Sequence, residues 1–255
     1  MAPHHLEYEA AKGDRNSMLK ALFDILFPPR CHYCKAFIPD AGAIHLCAAC
    51  MEACAFITSP FCVVCGIPFL TAGGDDHLCG DCITEPPRFT AARGAALFDG
   101  PIRELIHRFK YNRRVQLCRP LARLTARQLR PFTEKFSPDL LIPVPLHVKR
   151  LRQRGFNQAV LLGEILAREW RLPLSLGNLR RIRWTEPQIN LSAAERVANV
   201  RGAFSVRAPA LIKDRRIILV DDVYTTGSTA AECSRVLFKA DAAAVFVITI
   251  ARAAR

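Results

Sequence analysis

The sequence predicts an α/β protein with a mainly parallel sheet flanked by helices, preceded by a small N-terminal module organised by cysteines. Three observations carry that expectation. Apolar runs of strand length alternate with helical periodicity through the last two thirds of the chain, the pattern of a parallel sheet with crossover helices. Eight of the eleven cysteines form four Cys-x-x-Cys pairs within residues 31–82. One apolar run, Ile217-Ile218-Leu219-Val220, passes directly into two carboxylates and a turn of hydroxyls and glycine. With 255 residues, 51% apolar and 23% charged, the chain has room for one or two domains with their own cores and does not read as disordered.

Residues 1–17 carry acidic side chains and no apolar core, and read as an extension. Leu19, Leu22, Phe23 and Leu26 share one face of a short helix over 18–27, stopped by Pro28-Pro29. That face is too short for a membrane anchor and reads as a packing surface. No run approaches the ~18 apolar residues of a membrane span. The N-terminus also lacks the form of a signal peptide. The expectation is a cytoplasmic protein without membrane insertion.

The cysteine module comes next. Two thiolates two residues apart on a tight turn converge on one tetrahedral ion, and two such knuckles complete its four ligands. The spacers agree: 12 residues separate Cys34 from Cys47 and 13 separate Cys65 from Cys79, each enough for a short hairpin. A reducing cytoplasm disfavours disulfides. The expected ligands are Cys31, Cys34, Cys47, Cys50, Cys62, Cys65, Cys79 and Cys82, holding up to two structural Zn²⁺. Spacing favours sequential pairing of the knuckles and leaves interleaved pairing open. Four thiolates leave no coordination position for catalysis. Cys54, Cys118 and Cys233 read as small buried hydrophobes. Glu85-Pro86-Pro87 marks a boundary. The division is therefore 1–30 extension and short helix, 31–87 zinc module, and 88–255 α/β domain.

In that domain, residues 93–98 read as a strand. Residues 101–111 read as a helix with Ile102, Leu105, Ile106 and Phe109 inward. A second helix covers 117–129 and a strand 140–144, followed by a loop to Arg154. A helix from about 156 to 170, strands over 203–206 and 216–220, a helix over 228–239 and a last strand over 243–250 complete the order. The net charge of +13 divides into −4 over residues 31–90 and +17 over 91–255. Such an excess suits a polyphosphate ligand or nucleic acid, or a solvated arginine-rich surface.

The chemistry concentrates after Val220. Asp221 and Asp222, at the carboxyl end of a parallel strand, can accept hydrogen bonds from two sugar hydroxyls. The following turn offers successive N–H groups and the hydroxyls of Thr225, Thr226, Ser228 and Thr229 to a phosphate. Gly227 lets the backbone approach the anion. The chain lacks a P-loop with Lys after Gly, a Gly-x-Gly-x-x-Gly turn, and any arrangement suited to covalent catalysis.

The run 220–229 resembles the phosphoribosyl pyrophosphate (PRPP) motif of type I phosphoribosyltransferases. The order of elements resembles the ComF family, named for competence protein F: a double zinc ribbon joined to a phosphoribosyltransferase domain. Pro143-Val144-Pro145-Leu146-His147, Arg154-Gly155-Phe156-Asn157-Gln158, and Thr185 with Pro187, Gln188, Leu191, Ser192, Glu195, Arg196, Asn199 and Val200 extend the match from about residue 19 to 253. The resemblance implies that Asp221 and Asp222 hold the ribose and Thr225, Thr226, Gly227, Ser228 and Thr229 the 5′-phosphate. It places pyrophosphate on Leu146, His147, Val148, Lys149 and Arg150, with Mg²⁺ bridging pyrophosphate and ribose oxygens. It gives residues 183–201 the part of a lid, closed by Gln188, Arg196 and Asn199, with Arg196 joining the two Asp residues at the reacting centre. Locally, Ser192 and Glu195 also form a capping box for a short helix over 192–199.

The implied activity is transfer of phosphoribose to an unidentified acceptor with release of pyrophosphate. Tyr224, Phe156 and Trp184 are the aromatic candidates to stack a base. The family resemblance also implies a link to uptake of transforming DNA. The competing reading is therefore a non-catalytic competence or repair accessory factor that uses the PRPP fold as a binding module, with single-stranded DNA or the DNA-uptake machinery as its partner.

Overall fold

The computed structural model describes residues 27–254, apart from 40, 41, 43, 72, 112, 113 and 186–191. The short helix expected over 18–27 and Gln188 fall outside the described residues, as do Pro187 and Leu191. Two short helices, α1 (Ala48–Glu52) and α2 (Gly80–Thr84), lie in the cysteine module, each beginning at a cysteine that acts as its N-cap. The α/β domain runs β1 (Ala91–Leu97), α3 (Gly100–Tyr111), α4 (Cys118–Gln128), α5 (Arg130–Phe136), β2 (Leu140–Pro143), α6 (Val148–Arg154) and α7 (Gln158–Trp170). It continues through β3 (Leu179–Arg181), α8 (Ala193–Val200), β4 (Phe204–Val206), β5 (Arg216–Tyr224), α9 (Ser228–Phe238) and β6 (Ala244–Arg252).

The main sheet has the order β1-β6-β5-β2 with every pair parallel. Both of its faces are buried, as a parallel sheet requires. Ile218 and Val220 of β5, with Phe246, Ile248 and Ile250 of β6, pack under α3, α4 and α7. Ile217 and Leu219, with Val245 and Val247, face α9 and the β3–β4 pair. The alternation within each apolar run is thus the two-residue period of a strand, split between two cores. The mainly parallel α/β class with flanking helices, preceded by a double zinc ribbon, is as expected.

Several elements differ from the sequence reading. The helix expected over 117–129 is preceded by a short 3₁₀ turn and followed by α5, which the sequence reading lacked. Pro131 lies in the first turn of α5, where its missing N–H costs nothing, and it breaks the helical ladder behind it. The expected loop between 144 and Arg154 contains α6. His147 is its N-cap, with Nδ1 accepting from Lys149 N at 3.2 Å, and Gly155 ends it in the left-handed region. The strand expected over 203–206 is β4, and it pairs antiparallel with the unforeseen β3, outside the main sheet. Finally, β5 does not stop at Val220. It stays paired to β6 as far as Tyr224, so Asp221 and Asp222 are strand residues.

The cysteine module docks on the domain through arginines. Arg93 donates to the carbonyls of Cys62 (3.3 Å) and Val63 (3.2 Å), Arg252 to that of Cys65 (2.6 Å), and Arg108 to that of His32 (2.7 Å). The backbone joins in, with Ala92 N donating to Val64 O at 2.6 Å.

Candidate functional site

The paired cysteines form two groups, Cys31, Cys34, Cys47 and Cys50, and Cys62, Cys65, Cys79 and Cys82, each with all sulfurs within 4.8 Å of one another. The knuckles therefore pair sequentially. Cys34 and Cys47 are 3.7 Å apart at sulfur, as are Cys65 and Cys79. A tetrahedron with Zn–S bonds of about 2.3 Å has edges of about 3.8 Å, so the groups have the size zinc needs. Burial opposes ionisation of Cys62, but the N–H groups of Cys79, Cys65 and Val64 outweigh it and bring its pKa down to about 6. Cys31 is lowered to about 6 by Cys47, Cys34 and Tyr33 against the same opposition. Burial and the neighbouring sulfurs push Cys50 and Cys82 the other way, so four thiolates in each group need a cation to share, and the four-sulfur geometry fits structural zinc.

The second feature is a cavity of about 920 Å³ at the carboxyl end of the parallel strands. It brings together Asp221, Asp222, Thr225, Gly227, Ser228 and Thr229 from the β5–α9 junction, Leu146 and Arg150 from the β2–α6 segment, and Arg196 from α8. Of the remaining expected residues, Thr226 stands behind the turn, its Oγ1 donating to Ser228 Oγ at 3.2 Å. His147 is occupied as the cap of α6, and Val148 is half exposed. Lys149 reaches toward Trp184, its ammonium 5.9 Å from the ring centroid. Asn199 contributes its carbonyl to Arg183 at 2.9 Å. The capping box of Ser192 and Glu195 is present at the start of α8.

Two of the three aromatic candidates, Trp184 and Tyr224, line the cavity, and the Arg150 guanidinium lies 5.6 Å from the Trp184 ring centroid. Phe156 packs against Phe109 in the core. Tyr224 is buried beneath the turn, where a side chain at Gly227 would run into its hydroxyl. Gly227 has φ +78° and caps α9. Glycine is required there by the Tyr224 ring and by the left-handed backbone, in addition to any close approach by an anion.

Several site residues were missed by sequence reasoning. Lys110 of α3 reaches Asp222, Nζ to Oδ1 at 2.8 Å. Arg181 of β3 and Arg154 at the end of α6 also line the cavity. With Arg150 and Arg196 this gives five Lys or Arg side chains around two carboxylates. Arg103, Arg108 and Lys110 make α3 basic, but nothing local showed that Lys110 points at the sheet edge. The segment 154–158 has a structural logic of its own. Asn157 caps α7 by accepting from Ala159 N at 3.0 Å, and its Nδ2 donates to Val144 O at 3.0 Å, stapling α7 to the end of β2. Gln158 is buried, and Arg154 donates to its Oε1 at 2.9 Å.

The two Asp residues are electrostatically unequal. Burial and the neighbouring Asp222 charge push the Asp221 carboxyl up to about 7, against the Asp222 N–H it accepts at 2.8 Å and the charges of Lys110 and Arg181. Asp222 is 8% exposed and has the direct ion pair with Lys110. Adjacent carboxyl groups, Asp221 pushed toward its neutral form and Asp222 paired with Lys110, are poised for donors that reward full ionisation.

Two outcomes follow. The purified, reduced protein should contain two Zn²⁺ per chain by elemental analysis, and Cys31→Ser should lower both the zinc content and the unfolding temperature. Less than one zinc in folded protein would contradict this. For Asp221, the folded pKa lies above the unfolded value, so its contribution to stability is full below about pH 4 and is lost as pH rises through about 7. Asp221→Asn should therefore unfold at nearly the parent temperature at pH 4 and several degrees higher above pH 7, measured without ligand. A difference independent of pH would contradict the assignment.

Comparison with known proteins follows the same two features. Residues 22–83 match the double zinc ribbon domain family. The DNA utilization protein YhgH of Escherichia coli (strain K12) is 34% identical over 230 residues, 88% of this chain and 97% of that protein. Competence protein F of Haemophilus influenzae is 34% identical over 236 residues, with the same shares of 88% and 97%. Among solved structures, a glutamine PRPP amidotransferase from B. subtilis, complexed with ADP and GMP, overlaps 56% of this chain and 30% of its own, with a TM-score of 0.37 and 21% identity. The similarity to relatives that this chain spans almost end to end shows that it belongs to the ComF (competence protein F) family.

Proposed function

We propose that the chain binds PRPP with Mg²⁺ in this cavity and transfers the phosphoribosyl group to an acceptor, releasing pyrophosphate. The observation that carries the reading is the β5–α9 junction. Two carboxylates, a turn of hydroxyls and the N-terminus of an 11-residue helix follow one another along a cavity that also holds five cations. Residues 31–87 then supply the zinc-bound support and residues 88–255 the chemistry.

In this reading Asp221 and Asp222 accept hydrogen bonds from two ribose hydroxyls. The turn 225–229 encloses the 5′-phosphate with backbone N–H groups and with the hydroxyls of Thr225, Ser228 and Thr229. Arg150, Arg181 and Arg196 supply positive charge toward the pyrophosphate, where negative charge grows as the bond breaks. Leu146 lies beside them, while His147, Val148 and Lys149 shape the entry to α6. Mg²⁺ would supply further charge neutralisation beside Asp221 and Asp222 when bound. The acceptor's lone pair forms the new bond at the anomeric carbon, the bond to pyrophosphate breaks, and pyrophosphate leaves with the electron pair. The protein contributes orientation and electrostatic stabilisation. Helix α8, carrying Arg196, belongs to the segment 183–201 that would cover the bound ligand.

A second reading has its own observation. Helix α6 presents Lys149, Arg150, Arg152 and Arg154 without an acidic residue, beside Trp184. Cations tracking a backbone next to an aromatic face suit single-stranded nucleic acid. The names of the relatives, DNA utilization protein and competence protein, fit that partner. Among the described residues, no helix is long and apolar enough to cross a membrane.

Changing Asp222 to Asn keeps the shape and removes one charged acceptor. The loss should be about 1.5–3 kcal/mol, one to two decades in PRPP affinity by titration calorimetry with Mg²⁺ present. Asp221→Asn should act in the same direction. An Asp221→Asn/Asp222→Asn protein that binds PRPP like the parent would remove the reading. For the second reading, a single-stranded oligonucleotide should bind with a steep salt dependence. Trp184→Ala should weaken it by about 1–3 kcal/mol. Salt-independent binding, or none, would remove that role.

A further inference from the structure

Arg252 ends β6 and is 1% exposed. A guanidinium so deeply buried requires compensating charge and acceptors. Among the described residues no carboxylate pairs with it. Its acceptors belong to a zinc ligand: Nη1 donates to Cys65 O at 2.6 Å and Nη2 lies 3.6 Å from Cys65 Sγ. A Zn²⁺ bound by four thiolates has a net charge of two minus, so the second zinc centre supplies the missing anion. On its other side the guanidinium stacks over Tyr224, 4.4 Å from the ring centroid. Arg252 and Tyr224 are also direct partners in the β5–β6 register. Tyr224 in turn fills the space beneath Gly227, at the centre of the turn that opens α9.

We propose that Arg252 is a positioning residue for the turn 225–229, using the anionic second zinc centre to fix the Tyr224 ring on which Gly227 rests. Zinc in that centre and an anion at the turn are thereby coupled. The identity of the anion rests on the PRPP reading; the positioning does not. Arg93 provides the internal comparison. It holds the same knuckle through Cys62 O and Val63 O, but its guanidinium stacks on Phe61 and Phe132 and not on Tyr224. Loosening the knuckle through Arg93 therefore leaves the Tyr224–Gly227 contact in place. A reciprocal coupling is required: whatever zinc adds to ligand affinity, ligand adds to zinc retention.

The test is amide hydrogen exchange across 225–229 in the zinc-loaded full chain, comparing the parent with Arg252→Lys and Arg93→Lys. Lysine keeps the charge and loses both the planar stack and the two-pronged donor set. Arg252→Lys should speed exchange at the turn about ten-fold, and Arg93→Lys should leave it at the parent rate. Unchanged exchange in Arg252→Lys, or equal acceleration in both variants, would overturn the proposal. If Arg252→Lys does not fold, Tyr224→Phe keeps the ring and removes the hydroxyl under Gly227. It should also speed exchange at the turn, and a parent-like rate would overturn the proposal. PRPP affinity in Arg252→Lys should fall about ten-fold. A parent that binds no PRPP would remove the PRPP reading while the exchange rates still decide the role of Arg252. A parent that binds PRPP, with a folded Arg252→Lys that matches it in affinity and exchange, would do the reverse.

Discussion

The site depends on a mismatch in strand length. β2 is paired to β5 only from Leu140 to Pro143, while β6 stays paired to β5 as far as Tyr224. The last hydrogen bond on the β2 side is Val144 N to Val220 O at 2.9 Å. Beyond it β5 is held on one side and open on the other. Asp221 and Asp222 stand at the start of that open edge, rigid because they are strand residues and able to line the cavity because their neighbour has ended. A ligand at this edge meets preorganised acceptors, and the ordering cost has been met by folding the sheet.

The zinc module is tied into the same sheet. Arg93 and Arg252 come from β1 and β6, the strands nearest the second knuckle, and both donate into it. Gly66, directly after Cys65, has φ +71°, and a side chain there would collide with Ala92 O. A module whose own small clusters consist largely of cysteine, and whose Ile44, Leu46, Met51 and Phe56 pack against the domain core, gains rigidity from metal and from these contacts.

Features decided by local chemistry were legible in the sequence. The knuckles, the capping box of α8, the buried strands and the Asp-Asp turn each follow from residue types at fixed spacing. What the sequence concealed depends on partners distant along the chain. The extension of β5 past Val220 is caused by β6, and an Asp-Asp pair reads locally as a strand end. Lys110 enters the site because α3 crosses the sheet edge. Helix α6 was hidden because its seven residues bury nothing, leaving no apolar period to detect. Arg252 falls beyond the strand expected over 243–250, and nothing local signals its bond to a zinc ligand 187 positions earlier.

The central claim is that the open edge of β5 and the turn after it form a single PRPP site. A crystal structure of the zinc-loaded chain with PRPP and Mg²⁺ tests it most directly. The account predicts two ribose hydroxyls donating to Asp221 and Asp222, the 5′-phosphate within the turn 225–229, and pyrophosphate facing Arg150, Arg181 and Arg196. PRPP bound elsewhere, or seated with its sugar hydroxyls away from both carboxylates, would contradict it.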